Sequence, residues 1–132
     1  MTTSPTTTSC PEDSTQCDVN VVVLRGRLSS PSTERELPSG SRLAQFEVTT
    51  RDGPGSAASV PVAWWDPPAR AADLATGTEV VVVGHIRRRF YRTSGTTQSR
   101  TEVIADGVEP LRRTARVGRL LSSAAARLER LA

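Results

Sequence analysis

Apolar residues either alternate with polar ones or run together in five short stretches of the chain, and this pattern predicts five β-strands. Successive side chains of a strand point to opposite faces, so alternation indicates a half-buried strand and a β-branched run a strand buried on both faces. The second stretch places Ala44, Phe46 and Val48 on one face. The predicted strands are residues 19–28, 42–50, 58–64, 78–92 and 100–108, with 34–37 as a further short candidate.

Glycine, proline and small polar residues separate these strands. Residues 51–56 contain Asp-Gly-Pro-Gly and predict a mobile loop, and the polar run 93–99 predicts a flexible hairpin loop. A short helix is predicted from Asp66 to Gly77, with Asp66 as its N-cap and Pro67 in its first turn.

Beyond Pro110 the apolar residues recur at helical spacing, which predicts an amphipathic C-terminal helix. We expect this helix to pack on the strands or on a copy of itself, and a membrane-surface or DNA-contacting role is the alternative. Its apolar residues are Val117, Leu120, Leu121, Ala124, Ala125, Leu128 and Leu131.

Five short strands with one small helix between the third and the fourth are the element order of an OB-fold, an all-β Greek-key barrel that commonly binds oligonucleotides. We therefore predict three segments: a disordered leader at 1–18, an OB-fold domain at 19–111 and a basic amphipathic helix at 112–132. The leader is rich in Thr, Ser and Pro without an apolar period, so it buries too little surface to offset its ordering entropy.

The fourth predicted strand changes character along its length. Four valines, residues 80–83, lead through Gly84 into arginines and aromatic residues. Cations and a ring in register suit a phosphodiester chain with stacked bases; the alternative is a charged edge strand whose arginines keep the protein in solution. By alternation, one side carries Arg87, Arg89 and Tyr91, and the other carries Ile86, Arg88 and Phe90.

The net charge of +3 conceals an uneven distribution. Residues 84–100 hold five arginines and no acid, residues 101–111 hold three acids and no base, and residues 112–132 hold six arginines and one glutamate. A basic segment and a basic tail suggest a polyanionic partner, whereas a solvated charged surface is the other interpretation.

The sequence offers little for catalysis or metal binding. Cys10 and Cys17 lie in the leader without a second pair or a nearby histidine, so we expect a loop disulfide or free thiols rather than zinc. His85 is the only histidine, and no acidic dyad or phosphate-cradling glycine loop appears. We expect a protein that is not an enzyme, has no cofactor or metal, contacts no membrane and is cytoplasmic and nucleoid-associated.

From Asn20 to about Leu111 the chain resembles the bacterial single-stranded DNA-binding proteins. The resemblance rests on the order and spacing of several motifs: residues 20–28, 40–48, 62–64, 71–77, 80–84, 87–91 and 101–103. It implies an OB-fold that binds single-stranded DNA in replication, recombination or repair, and a homo-oligomer, either a tetramer or a dimer.

The resemblance also implies roles for individual residues. Tyr91 takes the place of a base-stacking tryptophan, Arg87 and Arg89 that of phosphate-contacting basic residues, and Trp64 that of a DNA-facing aromatic. Trp65 is expected to point to the opposite face. The predicted DNA-binding residues are Arg25, Trp64, Arg87, Arg89, Phe90, Tyr91, Arg92 and Arg100.

The chain departs from the family in three places. Ala58 stands where the family usually has a tryptophan, and Gly53-Pro54 where another aromatic is usual. Because base stacking contributes about 1–3 kcal/mol per base, we predict modest affinity with strong salt dependence. The C-terminal helix replaces the family's linker and acidic tip, which suggests a short paralogue.

Three hypotheses follow. The first is a sequence-tolerant binder of single-stranded DNA. The second is an OB-fold module or accessory subunit in which the same strand binds a protein. The third gives the leading role to the C-terminal helix, as an oligomerisation or membrane-surface element or as the site of a protein partner.

Overall fold

The computed structural model describes residues 18–131. Of the predicted leader, residues 1–17, including Cys10 and Cys17, lie outside this range. The strands are β1 Val22–Leu28, β2 Thr33–Glu36, β3 Arg42–Gly53, β4 Ser56–Trp65, β5 Glu79–Thr93 and β6 Thr96–Pro110; a 3₁₀ turn spans Ala69–Asp73, and helix α1 spans Thr114–Glu129.

Five of the strands close into a barrel. The sheet order is β1-β5-β6-β4-β3, and β1 pairs with β3 to complete the circle. The neighbouring strands are antiparallel except for β4 and β6, which run parallel. The short strand β2 pairs only with β3, at the edge, and all four of its residues are exposed. This arrangement confirms the predicted five-stranded barrel of the OB-fold.

The barrel interior is built from the strand faces that alternation selects. Ala44, Phe46 and Val48 are all buried, as predicted. Val80 and Val82 of β5 join the same core, while Val81 and Val83 are buried on its outer side. The valine run is therefore covered on both faces, as a continuous apolar strand requires.

The predicted helix from Asp66 to Gly77 is wrong in length and in its cap. The segment contains only the 3₁₀ turn, whose N-cap residue is Pro68 in an extended conformation. Two consecutive prolines disfavour helical geometry in the residue that precedes each of them. Asp66 instead has a positive φ of 48°, and its Oδ1 accepts a hydrogen bond of 3.0 Å from the backbone N–H of Arg42.

The two predicted loops do connect neighbouring strands, but their predicted length is wrong, because the strands continue through most of each segment into a tight turn. Pro54 and Gly55 connect β3 to β4, with Gly55 at a φ of 74°. Ser94 and Gly95 connect β5 to β6, with φ values of 53° and 77°. Two successive positive φ angles match the twist of a two-residue hairpin, which explains why pairing continues from the barrel to the turn.

Strand β5 leaves the barrel at a bulge. The register with β6 shifts between Val83 and Gly84. A Cβ on Gly84 would lie 2.0 Å from the carbonyl oxygen of Ile104, so glycine is required by this close approach. From Ile86 onward, every residue of β5 is exposed.

The C-terminal helix is confirmed, and it packs on the outside of the barrel. It contacts β5 and β6, with Val117 and Ala124 buried. The side chain of Leu120 covers Gly107, where a Cβ would come within 2.6 Å of its Cδ1. Near the other end of the helix, Arg127 forms an ion pair with Asp106 of β6. Within residues 18–131, no helix is long and apolar enough to cross a membrane.

We predict that Gly84→Ala lowers the free energy of unfolding by about 1–3 kcal/mol, because the added methyl group overpacks the contact with Ile104. Gly53→Ala is the matched control, since nothing lies within 4 Å of its Cβ position. Urea unfolding of both variants is the measurement. Equal stabilities of the two variants would contradict the close approach.

Candidate functional site

The outer halves of β5 and β6 form a hairpin that projects beyond the barrel. We call residues 86–101 the hairpin arm; all of them are exposed. Asn20 holds its base, because the Asn20 Nδ2 donates to the Ile86 carbonyl at 2.8 Å and the Ile86 N–H donates to Oδ1 at 2.9 Å. This side chain continues the pairing of β1 with β5 beyond the end of β1.

The arm has two faces of different composition. Residues directly opposite each other on paired strands lie on the same face. The tyrosine face comprises Arg87, Arg89, Tyr91, Gln98 and Arg100, together with Glu102 at the end nearest the barrel. The phenylalanine face comprises Ile86, Arg88, Phe90, Arg92 and Ser99. The structure therefore brings six of the eight predicted site residues together on the arm, distributed between its two sides.

One buried carboxylate organises the tyrosine face. Arg89 and Arg100 lie directly opposite each other, an arrangement in which like charges repel. Glu102 is only 5% exposed, and its carboxylate lies 3.7 Å from the Arg89 Nε and 3.9 Å from the Arg100 Nε. It therefore holds two guanidinium groups close together.

Each face also places a guanidinium over an aromatic ring. Arg89 lies 5.8 Å from the centroid of Tyr91, and Arg88 lies 5.1 Å from that of Phe90. Arg88 in addition donates to Ser99 Oγ at 3.1 Å. These cation–π contacts keep positive charge beside rings that solvent reaches, and Phe90 is 64% exposed.

The arm carries more positive charge than its acid neutralises. In the part of the chain from 18 to 131, Arg87, Arg88 and Arg92 have no carboxylate within 4.0 Å. Arginine offers planar, bidentate donors to phosphate or carboxylate groups, and exposed rings offer stacking surfaces. The arm can therefore bind a flexible polyanion that also carries flat groups.

Trp64 does not lie where the prediction put it. It pairs with Ala44, on the core face of β3, and its side chain is 5% exposed. The expectation that Trp64 rather than Trp65 faces outward is corrected, because Trp65 is 41% exposed. The signal that could have shown this is the pairing of the second and third predicted strands. Directly opposite residues share a face, so a register that pairs Trp64 with Ala44 places both on the core side.

Arg25 lies apart from the arm. It pairs with Val81, six residues before Arg87, which corresponds to about 20 Å along β5. There it lines a groove of about 560 Å³ between β1 and β3, together with Arg27 and Arg51.

The two positions without the family's aromatics lie on the β3–β4 hairpin. Ala58 is exposed and pairs with Thr50, and Gly53 and Pro54 stand at the turn. Neither position presents a ring, so on β3–β4 the nearest exposed aromatic is Trp65, at the far end of the hairpin.

Two contributors to the site were missed in the sequence. Glu102 and Asn20 were recognised as parts of motifs but were given no role. Alternation already places Glu102 beside Arg100 on one face, so the ion pair had a signal; the Asn20 contact with Ile86 spans 66 residues and had none. Between residues 18 and 131 no cluster of three or more His, Cys, Asp or Glu side chains could hold a metal ion; His85 lies 3.9 Å from Asp106.

Comparison with models of known protein families identifies the barrel and the arm. The model of the single-strand binding protein family matches residues 19–111, which are the barrel and the arm. No curated protein matches the chain.

Glu102→Gln is predicted to loosen the arm. The change keeps the shape of the side chain but removes the negative charge that offsets the repulsion between Arg89 and Arg100, so this repulsion opens the outer part of the β5–β6 ladder. Amide hydrogen exchange of residues 87–100 should become faster at low salt and return toward the original rates as salt is added. Glu34→Gln, which breaks the exposed pair with Arg42, is the control and should leave these rates unchanged.

Proposed function

The chain belongs to the single-strand binding protein family, and from this we propose that it binds single-stranded DNA without sequence preference along the hairpin arm. The observation that carries the proposal is the tyrosine face, where Arg87, Arg89 and Arg100 lie on the same exposed surface as Tyr91. A phosphodiester strand needs cations for its backbone and flat surfaces for its bases, and this face has both.

Phosphate contacts supply the larger part of the proposed affinity. Arg87 contacts the backbone without competition from a carboxylate, whereas Arg89 and Arg100 share Glu102. Each phosphate contact releases counterions, so binding weakens as salt is added. Arg88 and Arg92 extend this charge to the phenylalanine face.

Base stacking supplies the remainder. Tyr91 is the proposed platform on one face, and Phe90 is the proposed platform on the other. Each stacked base contributes about 1–3 kcal/mol. Since Ala58 and Gly53 offer no ring and Trp64 is buried, we propose modest affinity and a steep salt dependence.

We further propose that the protein acts as a binding protein, not as an enzyme, during replication, recombination or repair, in the cytoplasm where the nucleoid lies. Sequence-tolerant binding protects exposed strands in each of these processes. The second candidate is a protein-interaction module, favoured by the same exposed arm, because the edge of a hairpin can also bind an extended peptide.

Tyr91→Ala separates the two candidates. We expect wild-type protein to bind oligo-dT at low salt and the variant to bind about ten- to a hundredfold more weakly, because one stacking platform is lost. A fluorescence titration over several salt concentrations is the measurement, with circular dichroism to show that both proteins are folded. Unchanged binding by Tyr91→Ala would favour the protein partner, and no binding by the wild type even at low salt would exclude the proposal.

Two matched variants refine this test. Tyr91→Phe keeps the ring and should bind like the wild type. Arg87→Gln removes one phosphate contact, so the slope of log K against log salt should become shallower by about 0.7, whereas Tyr91→Ala should leave the slope unchanged.

A homo-oligomer through β1 is also proposed. Strand β1 pairs with β5 along most of its length but with β3 only at Arg27 and Leu28. One edge of residues 22–26 therefore has no strand partner between residues 18 and 131, and Val23 beside it is 46% exposed. Such an edge is a template for pairing with another chain.

Light scattering tests the oligomer. We expect a molar mass of two or four times the 14.2 kDa of one chain, and a reduced mass for Val23→Asp, because a charge would be buried at the new pair. A mass of one chain for the intact protein would contradict the pairing.

A further inference from the structure

Helix α1 carries a row of arginines on one flank. Arg116, Arg119 and Arg130 follow one another at spacings of three and eleven residues, with Ser123 between them, so all four lie on the same side of the helix. Arg112 stands just before the first turn. We call the side of α1 that carries Arg116, Arg119, Ser123 and Arg130 the arginine flank.

The arginine flank borders a groove. Between α1, β6 and the 3₁₀ turn lies a groove of about 430 Å³. Arg116, Arg119 and Ser123 line it from the helix, and Arg70 lines it from the 3₁₀ turn. Its opposite wall consists of Asp106, Gly107 and Glu109 of β6, and the side chain of Leu120 completes it.

The acids of the groove are already paired, which leaves it positive. Glu109 is 7% exposed and accepts a hydrogen bond of 2.6 Å from Arg70, and Asp106 binds Arg127. Of the arginines that line it, Arg116 and Arg119 have no carboxylate within 4.0 Å in the described part of the chain. The first turn of α1 also contains no acid, so the positive end of the helix dipole adds to their charge.

The groove leads to the tyrosine face. Asp106 lies 3.9 Å from His85 Nδ1 and also binds Arg127, near the C-terminal end of α1. His85 lies on the same side of β5 as Arg87, by alternation. From Glu109 to Glu102 is seven residues of β6, or about 23 Å, a distance that a few nucleotides of extended single strand can span.

We propose that this groove is a second section of the DNA-binding surface, which holds the phosphodiester backbone of the strand that leaves the tyrosine face. The inference rests on the proposed function. No aromatic side chain is among the residues that line the groove, so it offers no stacking platform. Its contribution is therefore electrostatic: it lengthens the occupied strand and steepens the salt dependence.

The double variant Arg116→Gln/Arg119→Gln tests the groove, because both side chains line it and neither is paired with an acid of the described residues. Arg35→Gln/Arg42→Gln is the control; it removes the same charge from β2 and β3, which do not pair with β5 or β6. Each protein is titrated with a short oligo-dT of about 6 nucleotides and a long one of about 20, which fall near the lower limit and above the upper limit of the roughly 4–16 nucleotides that one OB-fold occupies.

For the groove variant we expect unchanged affinity for the short strand, and affinity for the long strand roughly 10- to 100-fold lower at low salt. Its salt slope for the long strand should become shallower by about 1.4, the value for two phosphate contacts. Arg116→Lys/Arg119→Lys keeps the charge and should retain the wild-type slope. The control should bind both strands like the wild type, and thermal unfolding should show all variants folded.

Different results identify different failures. Wild-type affinity and slope of the groove variant on the long strand would overturn the inference and leave the arm as the binding site. An equal loss in the control would also overturn it, since the effect would then come from net charge. Absence of binding of either strand by the wild type would overturn the proposed function together with the groove.

Discussion

The continuous pairing of β5 with β6 is the constraint on which the other features depend. Each strand has 15 residues, and their pairing runs from Val80 and Pro110, in the barrel, to the turn at Ser94 and Gly95. Its inner half supplies valines to the core, and its outer half is the arm. The bulge at Gly84 divides the two halves, and the outer side of the inner half is where α1 packs. Folding of the barrel therefore fixes both the direction of the arm and the position at which α1 packs.

Charge outweighs aromatic surface on this molecule. The arm has two exposed rings but five arginines, of which Glu102 restrains two. A buried carboxylate between two guanidinium groups keeps them close enough to act together, yet it also competes with any phosphate for the same donors. For the proposed function we therefore expect modest affinity without sequence preference, because neither phosphates nor ring faces distinguish one base from another.

Sequence patterns predicted the features that depend on alternation, and missed those that depend on contacts between distant residues. Ala44, Phe46 and Val48 follow from period two, and so does the division of the arm into two faces. The faces of Trp64 and Trp65 do not follow from period two. Adjacent residues lie on opposite faces, and alternation alone does not tell which of the two rings faces the core; the pairing of Trp64 with Ala44 does. The polar run near Ser94 suggested a loop because composition does not reveal that two positive φ angles allow a tight turn. Asp66 suggested a cap, but consecutive prolines after it and its bond to Arg42 decide otherwise.

Strand β2 has a consequence for behaviour at high concentration. Its four residues are threonine, acid, base and acid, all exposed, along an edge of the sheet that the barrel does not close. A short charged edge of this kind opposes the edge-to-edge pairing by which sheets grow into aggregates. Where copies lie side by side on one DNA strand, as the proposed function implies, we expect the charges of β2 to oppose pairing between neighbouring copies at this edge.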